Sequence, residues 1–135
     1  MGDPKPVLLS VDDDQNTLKL IEKTLSKLDI EVLTASSGKE GLAVLEARTV
    51  DVVITDTRMP EMSGSEFLKQ VSALQPHACR IMLTEDAQLE DAKAAINEGG
   101  VSRYLDIPWK DDELRRTVGE AVKMATLARE NDALY

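Results

Sequence analysis

Cysteine and histidine each occur once in this chain, and aromatic residues make up only 3% of it. A single cysteine, Cys79, excludes an internal disulfide and a thiolate metal site. It reads as a small buried hydrophobe on a strand rather than a reactive thiol. A single histidine, His77 beside Pro76, reads as a surface loop residue and argues against a histidine-based metal-dependent hydrolase. Few aromatics mean an aliphatic core. Positive charge is also scarce: Lys+Arg number 16 against 25 Asp+Glu, for a formal net charge of -9. Phosphate contacts need Lys and Arg, so direct nucleic-acid binding by this domain is not expected. No apolar run is long enough to span a membrane. The opening Met1-Gly2-Asp3-Pro4-Lys5-Pro6 has no signal-peptide core, so a cytoplasmic setting is expected.

What is present is a 135-residue chain that is 42% hydrophobic, the size of one domain with one sizeable core. Strand-like apolar runs alternate with helix-period segments. The runs are Val7 to Val11, Glu31 to Ala35, Asp51 to Thr55, Cys79 to Leu83 (ending at Thr84) and Val101 to Leu105. Between them, Leu18, Ile21, Leu25 and Leu28 recur at spacings of three and four, as on an amphipathic helix. Ser37 with Glu40 and Ser63 with Glu66 form capping-box patterns that open the next two helices. Leu89, Ala92, Ala95 and Ile96 mark a fourth helix, stopped by Gly99-Gly100. Leu114, Val118, Ala121, Val122 and Ala125 mark the last. Strict alternation of short apolar strands with helices predicts an α/β fold, a parallel sheet covered on both faces.

The first and third strands end in acids: Asp12-Asp13-Asp14 after one, Asp56 after the other. Side by side in a parallel sheet, these ends share one edge, where ligand crevices form in open α/β sheets. Carboxylates held that close repel one another unless a cation sits among them. A hard cation with oxygen ligands, Mg²⁺, suits the group. The competing reading is that these acids cap the first helix, and one of them, Asp14, is expected to do so. Asp51 reads as a solvated residue at the start of its strand.

The segments Leu8-Leu9-Ser10-Val11-Asp12-Asp13-Asp14, Val52-Val53-Ile54-Thr55-Asp56-Thr57-Arg58-Met59-Pro60, Ile81-Met82-Leu83-Thr84 and Tyr104-Leu105-Asp106-Ile107-Pro108-Trp109 resemble, in order and spacing, the receiver domain of two-component response regulators. The resemblance implies a flavodoxin-like, doubly wound sheet of five parallel strands with five helices. It implies that Asp56 accepts a phosphoryl group from a histidine kinase or phosphotransfer protein. Asp12, Asp13, Asp56 and the backbone carbonyl of Arg58 would hold Mg²⁺, and Thr84 and Tyr104 would form the switch. The face of the fourth helix, fifth strand and fifth helix would carry the signal to an output domain. The domain would be a phosphoacceptor rather than an enzyme, though able to catalyse its own phosphorylation and dephosphorylation. The resemblance further implies a cis Ile107–Pro108 bond.

Two positions depart from the family pattern. Ile107 stands where the family carries a lysine, and Glu85 where it prefers a small residue. They keep open an alternative: a pseudo-receiver that serves as a phosphorylation-independent binding or dimerisation module. Residues 1–123 are read as the receiver and 124–135 as an extension of the last helix. There Met124, Leu127, Asn131 and Leu134 fall at a and d spacing, as at the start of a coiled-coil linker, and a homodimer is expected.

Overall fold

The computed structural model describes residues 5–85 and 102–133, the last three of these by their backbone. Strands β1 (Val7–Val11), β2 (Glu31–Ala35), β3 (Val52–Asp56), β4 (Cys79–Thr84) and β5 (Arg103–Asp106) form one sheet in the order β2-β1-β3-β4-β5. Every pairing is parallel, so the parallel sheet expected from the alternation is present, in the doubly wound, flavodoxin-like form that the resemblance implies. Four helices are described: α1 (Gln15–Leu25), α2 (Gly38–Ala47), α3 (Gly64–Leu74) and α4 (Asp111–Ala133). The helix predicted around Leu89 to Ile96 lies outside the described residues. Among the described residues, no helix is long and apolar enough to cross a membrane.

Alternation along each strand divides the core between the two faces of the sheet. Leu9, Val11 and Val53 pack with Phe67, Leu68 and Val71 of α3 and Leu45 of α2. Leu8, Val52, Ile54, Ile81 and Leu105 pack with Ile21 and Leu25 of α1 and Leu114, Val118 and Ala121 of α4. Both clusters are almost wholly aliphatic, with Phe67 the largest fully buried side chain. Cys79 is buried on β4, and burial pushes its thiol pKa up, which fits the inert reading.

Local signals place the helix starts. Asp14 caps α1, its carboxylate accepting from Asn16 N–H at 2.9 Å. Ser37 and Ser63 cap α2 and α3, accepting from the N–H groups of Glu40 and Glu66. At α2 the return bond shifts by one residue: Glu40 accepts from the N–H and the hydroxyl of Ser36. The chain order then sets the site. β1 connects outward to β2 on one side, and β3 to β5 extend the other, so the winding reverses between β1 and β3. A crevice opens at the carboxyl ends of strands flanking such a reversal.

One expectation fails at the other end of β3. Asp51 is not solvated: it is 4% exposed. Its Oδ2 accepts from Val7 N–H at 2.8 Å, and Arg129 of α4 pairs with Oδ1 at 2.5 Å. The helix periodicity of the last segment gave no sign that its far end returns beneath β3.

Candidate functional site

The β1–β3 register aligns Val11 with Thr55, and one step further along the same register stand Asp12 and Asp56. Asp12, Asp13 and Asp56 each offer a carboxylate oxygen, and these oxygens lie within 4.8 Å of one another. Asp12 is buried, Asp56 half-buried and Asp13 exposed. The three thus form a graded funnel, from the sheet edge to solvent.

Asp12 is pinned from both sides. Its N–H donates to Ala35 O at 3.1 Å, and its Oδ1 accepts from Asp14 N–H at 2.9 Å. Burial raises its pKa to about 6, opposed by the Asp14 N–H and reinforced by the charges of Asp56 and Asp13. Asp56 shifts the same way. Burial is the main cause, the Thr57 N–H opposes it, and the charged neighbours that add to it, Asp13, Glu85 and Asp14, are all acids. Ionised carboxylates held this close are electrostatically expensive in a partly dehydrated site.

Several residues hold Asp56 in place. Its Oδ1 accepts from Thr57 N–H at 2.9 Å. Thr57 is buried, and its hydroxyl donates to Leu83 O at 2.7 Å, tying the end of β3 to β4. Gly64, the first residue of α3, donates its N–H to Thr57 O at 2.9 Å. A Cβ at Gly64 would stand 2.1 Å from the Asp56 carbonyl oxygen, so any side chain there would displace the Asp56 backbone. Neither Thr57 nor Gly64 was singled out from the sequence. A glycine directly after the Ser63 cap was the available signal.

The other predicted site residues are distributed around this core. Thr84 ends β4, next to Leu83, which pairs with Asp56. It is buried, and its hydroxyl donates to Glu85 O at 3.0 Å. Tyr104 lies two residues back on β5, opposite Met82, and is 38% exposed. It is therefore not a core-packing aromatic. Arg58 is exposed in the connection after Asp56. Ile107–Pro108 is cis, as expected. The Ile107 side chain packs against the α1/α4 half of the core. Arg103, a nearby cation in sequence, pairs with Glu120 of α4 at 2.7 Å. Two shallow cavities, of about 440 and 460 Å³, lie elsewhere: one by Asp51 and Gln75, the other between α2 and Met62.

Comparison with known proteins agrees with this arrangement. Residues 8–119 match the profile of the response regulator receiver domain. The hydrogenase transcriptional regulatory protein HoxA of Cupriavidus necator is 37% identical over 123 residues, which are 91% of this chain and 25% of that protein. The transcriptional regulatory protein GlrR of Escherichia coli is 39% identical over 121 residues, 90% of this chain and 27% of that one. The chain thus spans about a quarter of the length of these curated relatives. Among solved structures, the signal receiver domain of an HD domain-containing protein from Pseudomonas fluorescens Pf-5 superposes with a TM-score of 0.90 at 33% identity, over 96% of both chains. With its fold, its acidic edge and its sequence in agreement, the chain belongs to the response regulator receiver domain family.

Proposed function

We propose that this receiver domain accepts a phosphoryl group on Asp56 from a histidine kinase or phosphotransfer protein, with Mg²⁺ held by Asp12, Asp13, Asp56 and the Arg58 backbone carbonyl. The supporting observation is the convergence of three carboxylates within 4.8 Å, where the charged neighbours of Asp56 are themselves acids. An all-oxygen donor set of this charge fits a hard divalent cation. When bound, Mg²⁺ neutralises charge on the transferring oxygens.

The chain's own groups do the rest. Oδ1 of Asp56 is occupied by Thr57 N–H, so Oδ2 is presented for attack. A new bond forms from Oδ2 to phosphorus as the bond from phosphorus to the donor's leaving group breaks. The Thr84 hydroxyl gives up its bond to Glu85 O and turns to the phosphoryl oxygens, and outward-lying Tyr104 follows. That change alters the face built from β5, α4 and the segment predicted as the fourth helix.

The same reading makes the domain a phosphoacceptor that assists its own labelling, in a cytoplasmic protein whose output domain lies beyond this chain. Residues 124–135 then continue as a helical linker. Met124 and Leu127 are 51% and 64% exposed and would pair with a second copy, giving a homodimer. The side chains of Asn131 and Leu134 lie outside the described residues.

Mass spectrometry after incubation with a small-molecule phosphodonor tests the core of this reading. The expected result is one phosphoryl adduct on the peptide carrying Asp56, dependent on Mg²⁺ and lost in Asp56→Asn. No adduct in the unaltered protein, or an undiminished one in Asp56→Asn, would reject it.

A further inference from the structure

The 23 residues of α4 are anchored on the sheet by Leu114, Val118, Ala121 and Ala125, all buried. After Ala125 no described side chain of the helix is buried. Leu127, Arg129 and Glu130 are exposed, and Thr126 and Ala128 are partly so. A helix end without packing frays, because most helical stability in proteins comes from the buried face. Yet α4 continues to Ala133.

The one ion pair described beyond Ala125 is between Arg129 and Asp51, four residues on from Ala125 and so on the same face of the helix. The two partners are unequal. The Asp51 side chain is 5% exposed, that of Arg129 44%. Asp51 is also tied in by several hydrogen bonds. Its Oδ2 holds the Val7 N–H, its own N–H donates to Val7 O, and its carbonyl accepts from Cys79 N–H. One residue thereby joins the starts of β1, β3 and β4. Its Oδ1 is buried with no hydrogen bond of good geometry among the described residues, so the Arg129 guanidinium is what balances it. Exposed ion pairs contribute little, but a buried carboxylate left without its cation is strongly unfavourable. The helix end is therefore held by the need of Asp51 for a counter-charge.

We infer that the Asp51–Arg129 pair is a latch that clamps the end of α4 under the amino edge of the sheet and sets the direction in which the helix leaves the domain. Any segment continuing the helix inherits that direction, whether or not Asp56 is ever phosphorylated.

Amide hydrogen exchange on the whole chain tests the latch. In Arg129→Met, amides 126–133 should exchange at least roughly tenfold faster and lose more protection than the amides of α3. Arg129→Lys, which retains the charge, should keep most of the protection. Asp51→Asn, which can still accept from Val7 N–H, should loosen the same helix end. Unchanged exchange over 126–133 in Arg129→Met would overturn the inference. So would equal loss in the Met and Lys variants, since packing rather than charge would then hold the helix. If Asp51→Asn fails to fold, the two Arg129 variants decide.

Discussion

Strand β3 has a carboxylate at each end, and the two live under opposite conditions. Asp51, before its first residue, is buried but answered by a backbone N–H and a guanidinium. Asp56, at its last residue, is less buried but surrounded by other acids. Five residues apart on one strand, they show that burial of a charge does not by itself mark function. What separates them is whether the fold supplies the opposite charge. Where it does, the carboxylate is a joint in the structure. Where the charged neighbours among the described residues are acids, as at Asp56, the proposed function brings the cation and the reacting group from outside.

Neutralising each carboxylate in turn gives the largest contrast. Without divalent metal at pH 7.5, Asp12→Asn should raise stability by about 3 kcal/mol. The basis is a pKa lifted from 3.8 to about 6, at about 1.4 kcal/mol per unit. Asp51→Asn should lower it by about 1 kcal/mol, since the amide keeps an acceptor for Val7 N–H but gives up the charge that holds Arg129. Urea denaturation measures both, and changes of the same sign would break the comparison. The pH dependence follows from the raised pKa. The stability associated with Asp12 is fully present below about pH 4 and is lost as pH rises through about 6. Asp56 shifts in the same direction. The exposed carboxylates of Glu31 and Glu40 are shifted downward, so they act in a more acidic window. The metal-free protein should therefore melt at a higher temperature at pH 5 than at pH 7.5. Millimolar Mg²⁺ should remove that difference, and Asp12→Asn should shrink it.

Giving the acidic edge a cation of its own sharpens the comparison. In Ile107→Lys the ammonium would supply what Arg129 supplies at the other edge. A charge-assisted hydrogen bond to the phosphoryl group is worth about 1.5–3 kcal/mol, comparable to the gap between two conformers. With a phosphoryl mimic at Asp56, the unaltered protein should populate the switched conformer only in part, and Ile107→Lys nearly fully. Amide NMR shifts around Thr84 and Tyr104 read the populations. Full switching without the lysine would show that Ile107 is no handicap.

The smallest effect concerns backbone strain beside the acidic edge. Glu61 has φ 70, the left-handed region that favours glycine. Glu61→Gly should stabilise the protein by about 1 kcal/mol, given the cost of that region to a residue with a Cβ. A lowered urea midpoint would mean that the Glu61 side chain contributes more than its backbone costs.

Much of this was legible in the chain. Apolar runs and their spacing announce five strands, because strands inside a covered parallel sheet are mostly apolar, with only a few small hydroxyls such as Ser10 and Thr55 buried among them. The cap signals at Asp14, Ser37 and Ser63 act within one turn, so sequence distance and spatial distance coincide. The convergence of Asp12, Asp13 and Asp56 was legible once the strands were taken as parallel neighbours, since a shared edge follows from direction alone. The fates of Asp51, Tyr104 and Gly64 were not. Asp51 was read as solvated, but its cation lies 78 positions away on a helix whose path only packing determines, while the nearer Arg48 pairs with Glu31. Tyr104 lies on the edge strand β5 and is 38% exposed, which its neighbours in sequence do not reveal. Gly64 matters through the close approach of α3 to the Asp56 carbonyl. Local chemistry thus determined the elements and their ends. Tertiary structure alone decided which charges meet, because electrostatic energy depends on separation in space and on exclusion of water, and a linear pattern records neither.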